Sequence, residues 1–453
     1  MSMTKRNQMH LMLQTGIVGN HHGAWRRPRS RVEDAHGLAF HAWIARLAEN
    51  AKLDAVFVAD GLSTMGGHRY APRSFLEPFT LLAALAGQTS KVGLVATAST
   101  SFSEPYNLAR QFASLDHLSN GRAAWNIVTS FLGEENFGSE PLPPAEQRYA
   151  RAAEYLDVSM ALWDSWKPGS LVIDRDSGIY ARDDLVREIN HEGEFFSVKG
   201  PLNVARSPQG RPVLVQAGSS ELGKNLAAQY AEVVFTAQQS LEGAKAFYRD
   251  IKARVAAHGR NPDTVKVLVG ATPLIAPTKE EAGDLRRELA ALIHEDFGRE
   301  RISKRLGGAD LSQVGLDEQI PPSLLPGGET VERIKSRFDV YRRLAVDEKR
   351  TLRELIEVEA TSSGHWVFEG SPQSIAEELI TIFDAGAADG FILLPTYAPE
   401  GIELLTGGVV PLLQERGYFR TEYQGDTLRS HLGLDDFPDQ FLHAQQHRSG
   451  ANA

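Results

Sequence analysis

Apolar and polar positions divide this chain into short apolar runs separated by longer stretches with helical spacing. The runs fall at residues 9–15, 54–60, 92–99, 123–129, 212–217, 233–237, 265–274 and 390–395. None alternates strictly between apolar and polar, which is what parallel strands buried on both faces require. Helices are predicted over residues 38–51 before the second run, 78–88 before the third and 107–118 before the fourth. Strand and helix patterns in this alternation predict an α/β fold, a (β/α)8 TIM barrel.

Two connections are too long to be simple turns. Residues 131–211, after the fourth strand, hold a predicted helix near 148–166 and then turn-rich extended sequence, with a hairpin expected around 195–201. Residues 276–389, after the seventh strand, hold predicted helices around 279–297 and 329–359, with a Pro- and Gly-rich stretch at 321–328 between them. Long insertions on barrel strands build lids, so substrate identity is expected to be written there. One barrel domain is expected over residues 1–434, followed by a polar, loosely ordered tail at 435–453.

In such a barrel the chemistry gathers at the C-terminal ends of the strands. The run 121–130 opens on the turn residue Gly121 and releases Asn126, Thr129 and Ser130 at that end. Asp60 closes the second strand and would accept hydrogen bonds from a ligand or orient a base; a helix cap or structural ion pair is the other reading. The third strand ends in small hydroxyl residues, of which Thr97 or Ser99 would bond a flat ligand, unless they are merely a polar strand end. Gly218, Ser219 and Ser220 join a strand to a helix opening at Glu221. Free N–H groups and the dipole there make an anion cradle, although either serine is also an ordinary N-cap. Arg148, Tyr149 and Arg151 offer donors to the same anion or decorate a solvated helix face. His21 and His22 are adjacent and followed by Trp25, but no carboxylate–histidine set follows on later strands, so a metal is not expected. Asp116 and His117 read as a structural helix end before Gly121.

Composition narrows the classes. The chain of 453 residues contains no cysteine, which excludes disulfides, thiolate metal sites and a cysteine nucleophile. A net charge of -10 disfavours nucleic acid as a partner. No apolar run of about 18 residues is present, so no membrane span is expected. The first ten residues lack a signal-peptide core, and a cytoplasmic location is expected. Nucleophile-elbow, Walker and Gly-rich dinucleotide patterns are absent.

Taken together, the stretches 22–25, 57–60, 115–118, 121–130, 136–138, 148–149, 207–209, 216–218 and 416–428 resemble the bacterial-luciferase-like flavin monooxygenases. The similarity is to the branch containing the nitrilotriacetate, dibenzothiophene-sulfone and long-chain-alkane monooxygenases, and it runs from about residue 9 to 434. The resemblance implies a barrel enzyme, homodimeric or a dimer of dimers, that takes reduced FMN from a separate NAD(P)H:flavin reductase. It implies that Asp60, Thr97, Asn126 and Ser130 flank the isoalloxazine and ribityl chain, and that Tyr149, Ser219 and Ser220 hold the phosphate. His22 is the best-matched histidine near the reactive face and is the expected catalytic residue. Two positions depart from the family: Ala145 stands where a histidine is frequent, and residues 303–309 lack a histidine proposed for the reaction in relatives.

The expected reaction joins reduced FMN and O2 in a flavin 4a-hydroperoxide, which oxygenates a small substrate, an organosulfur or other heteroatom compound being favoured. Ile17, Phe79 and Phe131 are expected to keep the site dry, and Arg69, Arg73 and Arg301 either meet a carboxylate or sulfonate of the substrate or, as is usual for exposed arginines, are simply solvated. A deazaflavin-dependent oxidoreductase of the same fold, a metal-dependent hydrolase and a non-catalytic flavin-binding protein are the competing readings.

Overall fold

The computed structural model describes residues 8–16, 18–64, 66–72, 74–130, 132–138, 141–327 and 335–434. Ile17, Arg73, Phe131, part of the Pro/Gly-rich stretch and the polar tail at 435–453 therefore lie outside the described residues.

The chain opens with β1 (His10–Gln14), α1 (Leu38–Asn50), β2 (Ala55–Val58), α2 (Pro78–Ala86), β3 (Gly93–Ser99), α3 (Pro105–Leu118) and β4 (Ala123–Val128). The first insertion follows, with α4 (Ala145–Trp163), the hairpin β5 (Leu171–Asp174) and β6 (Ile179–Ala181), and the hairpin β7 (His191–Glu192) and β8 (Ser197–Val198). The barrel resumes with β9 (Val213–Gln216), α5 (Glu221–Tyr230), β10 (Val233–Thr236), α6 (Leu241–Ala257) and β11 (Lys266–Ile275). The second insertion carries α7 (Lys279–Ala291), α8 (Glu295–Arg305), α9 (Lys335–Val346), α10 (Leu352–Ser362), β12 (Trp366–Gly370) and α11 (Pro372–Asp384), before β13 (Gly390–Leu393). Parallel pairing runs β1–β2–β3–β4–β9–β10–β11–β13 and returns to β1, so eight strands close the barrel. All eight expected strands are present, and both long insertions leave from the expected strands.

Burial on two faces explains why the strands do not alternate in polarity. Met12, Ala55, Phe57, Val95, Ala124, Val215, Val233, Leu268 and Ile392 fill the barrel interior as one cluster with Leu428 and Leu432. Their neighbours Leu11, Val56, Leu94, Trp125, Leu214, Val269 and Phe391 face outward into the helical layer. At about 25 cal/mol per Å² of apolar surface, burial of this kind is the main drive for closure. Leu428 packs on Gly93, and the 416–434 segment thereby closes the N-terminal end of the barrel.

The second insertion corrects two expectations. The helix expected over 279–297 is broken, because Leu292 packs within 2.9 Å of where a Cβ on Gly23 would stand and the chain turns before α8. The helix expected over 329–359 also divides: α10 restarts at Thr351, whose side chain and that of Glu354 form a capping box. Strand β12 was not expected. It pairs with Ala271–Ile275, the upper half of the ten-residue β11, while the lower half pairs with β13.

Candidate active site

Three groups of polar side chains stand at the C-terminal ends of the strands. The first spans β2, β3 and β4. The buried Thr97 hydroxyl donates to Val58 O at 2.7 Å and accepts from Asn126 Nδ2 at 3.0 Å. Alternation turns both residues to the barrel interior, in phase with Val95 and Ala124. That leaves Asn126 Oδ1 buried without a partner among the described residues. Ser99 and Ser130 share a hydroxyl–hydroxyl bond of 2.7 Å on the same rim, and Arg148 donates to Ser130 O. Asp60 lies half-buried beyond β2. Burial raises its pKa above the ordinary carboxylate value, against the Gly61 N–H bond and with help from nearby Glu77.

The second group is the junction of β9 with α5. Ser220 caps the ten-residue helix, accepting from Gly223 N at 3.1 Å. A Cβ on Gly223 would stand 3.1 Å from Ser220 Oγ and from the Gly218 Cα, and 3.2 Å from the Tyr149 hydroxyl. Tyr149, Gly218, Ser220 and Gly223 thus converge on the helix N-terminus, with Ser219 exposed beside them. Gln216 lies close under Gly218, and its Oε1 is buried without a partner among the described residues. Glycines that leave N–H groups approachable at a helix start are the physical basis of an anion site. Arg151 donates instead to Thr100 O and lies over Phe196, so it belongs to the framework of α4.

The third group joins the loop after β1 to the lid. His22 donates its backbone N–H to Ala360 O at 3.0 Å, and its ring meets Phe297 edge-on at 5.3 Å. Its neighbour His21 is buried, accepts from Gly23 N at Nδ1, and is held neutral by burial, which lowers its pKa to about 4. Of the adjacent pair, His21 serves the loop and His22 faces α8 and α10. Next to Ala360, the buried Glu359 receives Arg301, Arg305 and the Tyr341 hydroxyl. Burial raises the Glu359 pKa, but Arg305 and Arg301 outweigh it and hold the carboxyl at about 2. Arg301 is therefore engaged by a carboxylate of the protein itself, which corrects the expectation that it meets a substrate anion. Phe79 likewise packs on Phe112 at 4.7 Å, among residues of the outer layer, rather than lining the mouth. A stacked pair, Phe102 and Phe137 at 4.6 Å, lies on the loops after β3 and β4 instead.

His365 escaped the sequence reading. Ser363 and Gly364, both at positive φ, turn the chain after α10, and the imidazole then lies flat on Phe235 with ring centroids 5.3 Å apart. It occupies the space a side chain on Gly270 would take. An isolated glycine inside a strand pattern is the usual sign of such an approach, and Gly270 carried that signal. Among the described residues no cluster of His, Asp or Glu is arranged to hold a metal ion. No helix among them is long and apolar enough to cross a membrane.

An eight-stranded parallel barrel with a polar rim and a glycine-lined, serine-capped helix N-terminus at one strand end defines a class of barrel enzymes. Residues 17–389 match the family model for luciferase-like monooxygenases, and the chain belongs to that family. It is 44% identical over 434 residues to N-acetyl-S-(2-succino)cysteine monooxygenase of Bacillus subtilis (strain 168), covering 95% of this chain and 98% of that one. It is 45% identical over 446 residues to nitrilotriacetate monooxygenase component A of Aminobacter aminovorans, with the same coverage of 95% and 98%. A solved riboflavin lyase with modified FMN and riboflavin superposes with a TM-score of 0.84 at 29% identity, over 96% of this chain and 99% of that one. The expected family and enzyme class, a monooxygenase, are borne out.

Proposed function

We propose that this enzyme is the oxygenase component of a two-component system, taking reduced FMN from a separate NAD(P)H:flavin reductase and oxygenating a small organic substrate with O2. The cradle at Gly223 carries the reading, because the space it keeps open suits a phosphate approached by Tyr149, Ser219, Ser220 and the α5 N-terminus. The unpartnered Asn126 Oδ1 fits an N–H donor of a flat ring, and removing that buried orphan is worth about 1–3 kcal/mol to the complex. The flavin carried by the riboflavin lyase and the designation of one relative as component A support cofactor and partner.

When bound, reduced FMN supplies the electrons that activate O2 for transfer of one oxygen atom. Thr97, fixed by Val58, orients Asn126 toward the ring, and Ser130, fixed by Ser99 and Arg148, lines the same side. Asp60 accepts hydrogen bonds at the rim. Phe102 and Phe137 help exclude water, on which the lifetime of a reactive oxygen species depends. His22, held by Ala360 and Phe297, transfers the proton the reaction needs. An organosulfur or other small heteroatom compound is the favoured substrate, in keeping with the compounds for which the two relatives are named.

The test is an anaerobic titration with photoreduced FMN, followed by turnover of candidate substrates with isotopically labelled dioxygen. Tight binding of FMNH2 and one labelled oxygen atom in the product are expected. Preference for a reduced deazaflavin, or turnover without oxygen, would overturn the reading. A His22→Ala variant that binds FMNH2 normally and turns over at the wild-type rate would remove His22 from the chemistry.

A further inference from the structure

The wall of the barrel mouth opposite Asn126 is built around a missing side chain. Around the closed ring β3, β4, β9, β10 and β11 follow one another, so among eight strands β11 stands opposite β3. Thr97 lies two positions beyond the interior residue Val95, and Gly270 two beyond the interior residue Leu268. Alternation therefore turns both toward the same space, from opposite sides. The Gly270 backbone is that of an ordinary strand, without the positive φ that would call for glycine. Space calls for it instead: a Cβ there would stand 2.3 Å from His365 Nδ1 and 2.8 Å from Phe235 Cε2. The imidazole lies parallel to Phe235, with 3° between the planes, and Phe235 meets Phe57 edge-on at 6.0 Å. The turn behind it is held as well. His365 N donates to Ser362 O at 3.0 Å, Gly364 N to Ser362 Oγ at 3.2 Å, and Gly364 O accepts from Gln239 Nε2 at 3.3 Å. Thr272, next in phase on β11, is fully buried, and its hydroxyl has no partner among the described residues.

We propose that His365 is a second ring-binding residue of the site, donating a hydrogen bond to the reduced flavin from the wall that faces Thr97 and Asn126. This role rests on the reading of the mouth as a flavin site. The interior of an eight-stranded barrel is only wide enough for side chains or one small ligand, so a flat ring that meets Asn126 on one wall reaches the other. The gap over Gly270 asks only for volume, which a phenyl ring would fill; an imidazole adds nitrogens that donate or accept. The Thr272 hydroxyl puts a second polar group on the same wall, as Asn126 Oδ1 does on the facing one. A donor held against the ring gains strength as the ring takes up electrons, so His365 favours the reduced form over the oxidised one. The lid takes part in this. Helix α10 carries Ala360, which holds His22, and ends in the turn that delivers His365, so seating that one helix places both imidazoles.

The test compares affinity for photoreduced FMN, titrated anaerobically, with affinity for oxidised FMN in wild type, His365→Phe and His365→Gln. Phenylalanine keeps a flat ring on Phe235 and removes the nitrogens. His365→Phe is expected to bind oxidised FMN as wild type does and reduced FMN about tenfold more weakly. Glutamine retains an N–H donor and is expected to recover part of the preference. Equal loss for both redox forms marks a space-filling role and overturns the proposal, as does a His365→Phe variant that matches wild type in both. Unchanged flavin affinities with a raised KM move His365 to the substrate and overturn it too. Gly270→Ala takes the seat of the imidazole while keeping the histidine, and an unchanged ratio there also counts against the proposal. Wild-type protein that binds FMN in neither form removes the flavin reading itself, a failure distinct from variants that bind as wild type does.

Discussion

At the base of the barrel, buried charges meet opposite charges; at the mouth, buried polar atoms are left over. Asp54 at the base takes Arg420, His10 Nδ1 at 3.3 Å and Leu11 N at 2.6 Å, and Arg429 meets Glu232 at 2.8 Å. Arg122 donates five hydrogen bonds, to Ser119, Val92, Ala86 and both oxygens of Thr89. Gln209 bridges Asp116, Ala123 and Arg429. His431 is the exception, held neutral there by burial and by Arg420, which lower its pKa to about 4. At the mouth, Asn126 Oδ1 and Gln216 Oε1 are buried without partners among the described residues. Arg420 Nη1 and the His431 ring nitrogens are likewise without hydrogen-bond partners at the base among the described residues, so the contrast lies in the buried charges, which are paired there, and in the neutral amides at the mouth, which a ligand can satisfy. The base holds the fold and the mouth gives up some stability for binding.

The largest break in this contrast should come from Arg420→Ala. It takes the guanidinium from the buried Asp54, leaving it only His10 and the Leu11 N–H, and stability measured by urea unfolding is expected to fall by about 3 kcal/mol. Protein that remains folded should keep its affinity for FMNH2.

Acid attacks the base in a second way. His431 titrates lower in the folded than in the unfolded chain, so its neutral form stabilises the fold fully above about pH 6.5, and this is lost as pH falls toward 4. Burial raises the Asp54 pKa, but Arg420 and His10 outweigh it and hold the carboxyl at about 2. Its contribution, about 2 kcal/mol, is present above pH 4 and lost as pH falls through 2. Urea unfolding should therefore show a first loss between pH 6.5 and 4, to which the buried His21 also contributes and which is reduced in His431→Leu, and a second below pH 4.

Asn126→Leu sharpens the comparison from the other end. Replacing an unsatisfied buried amide by an apolar group of similar size is expected to leave the thermal midpoint unchanged or slightly raised. FMNH2 affinity should drop about tenfold, roughly 1.4 kcal/mol, by anaerobic titration. Gly223→Ala should act in the same direction and less strongly. Its methyl crowds Tyr149 and Ser220 in the cradle, and a several-fold weaker FMNH2 affinity is expected without loss of thermal stability, since alanine favours the helix.

Much of this was legible in the chain. Eight apolar runs gave eight barrel strands because burial on both faces leaves a continuous apolar signature. The serine–helix junction was legible because capping is local, and the Thr351–Glu354 capping box was there to be read before α10. Long-range events were not. Nothing local to residues 279–297 signals that Gly23 would bring Leu292 to a turn, or that Glu359 would engage Arg301 across 58 positions.

By itself, then, the sequence determined the strand count, the insertion points and the serine-capped junction of β9 with α5, since each depends on periodicity or on residues a few positions apart. The tertiary structure alone decided which polar groups met. It paired Thr97 with Asn126, seated His365 over Gly270, and turned His22 rather than His21 toward the lid. The physical reason is that hydrogen bonds and ion pairs act over a few ångströms, so partners distant in sequence are chosen only when the chain has closed the barrel around them.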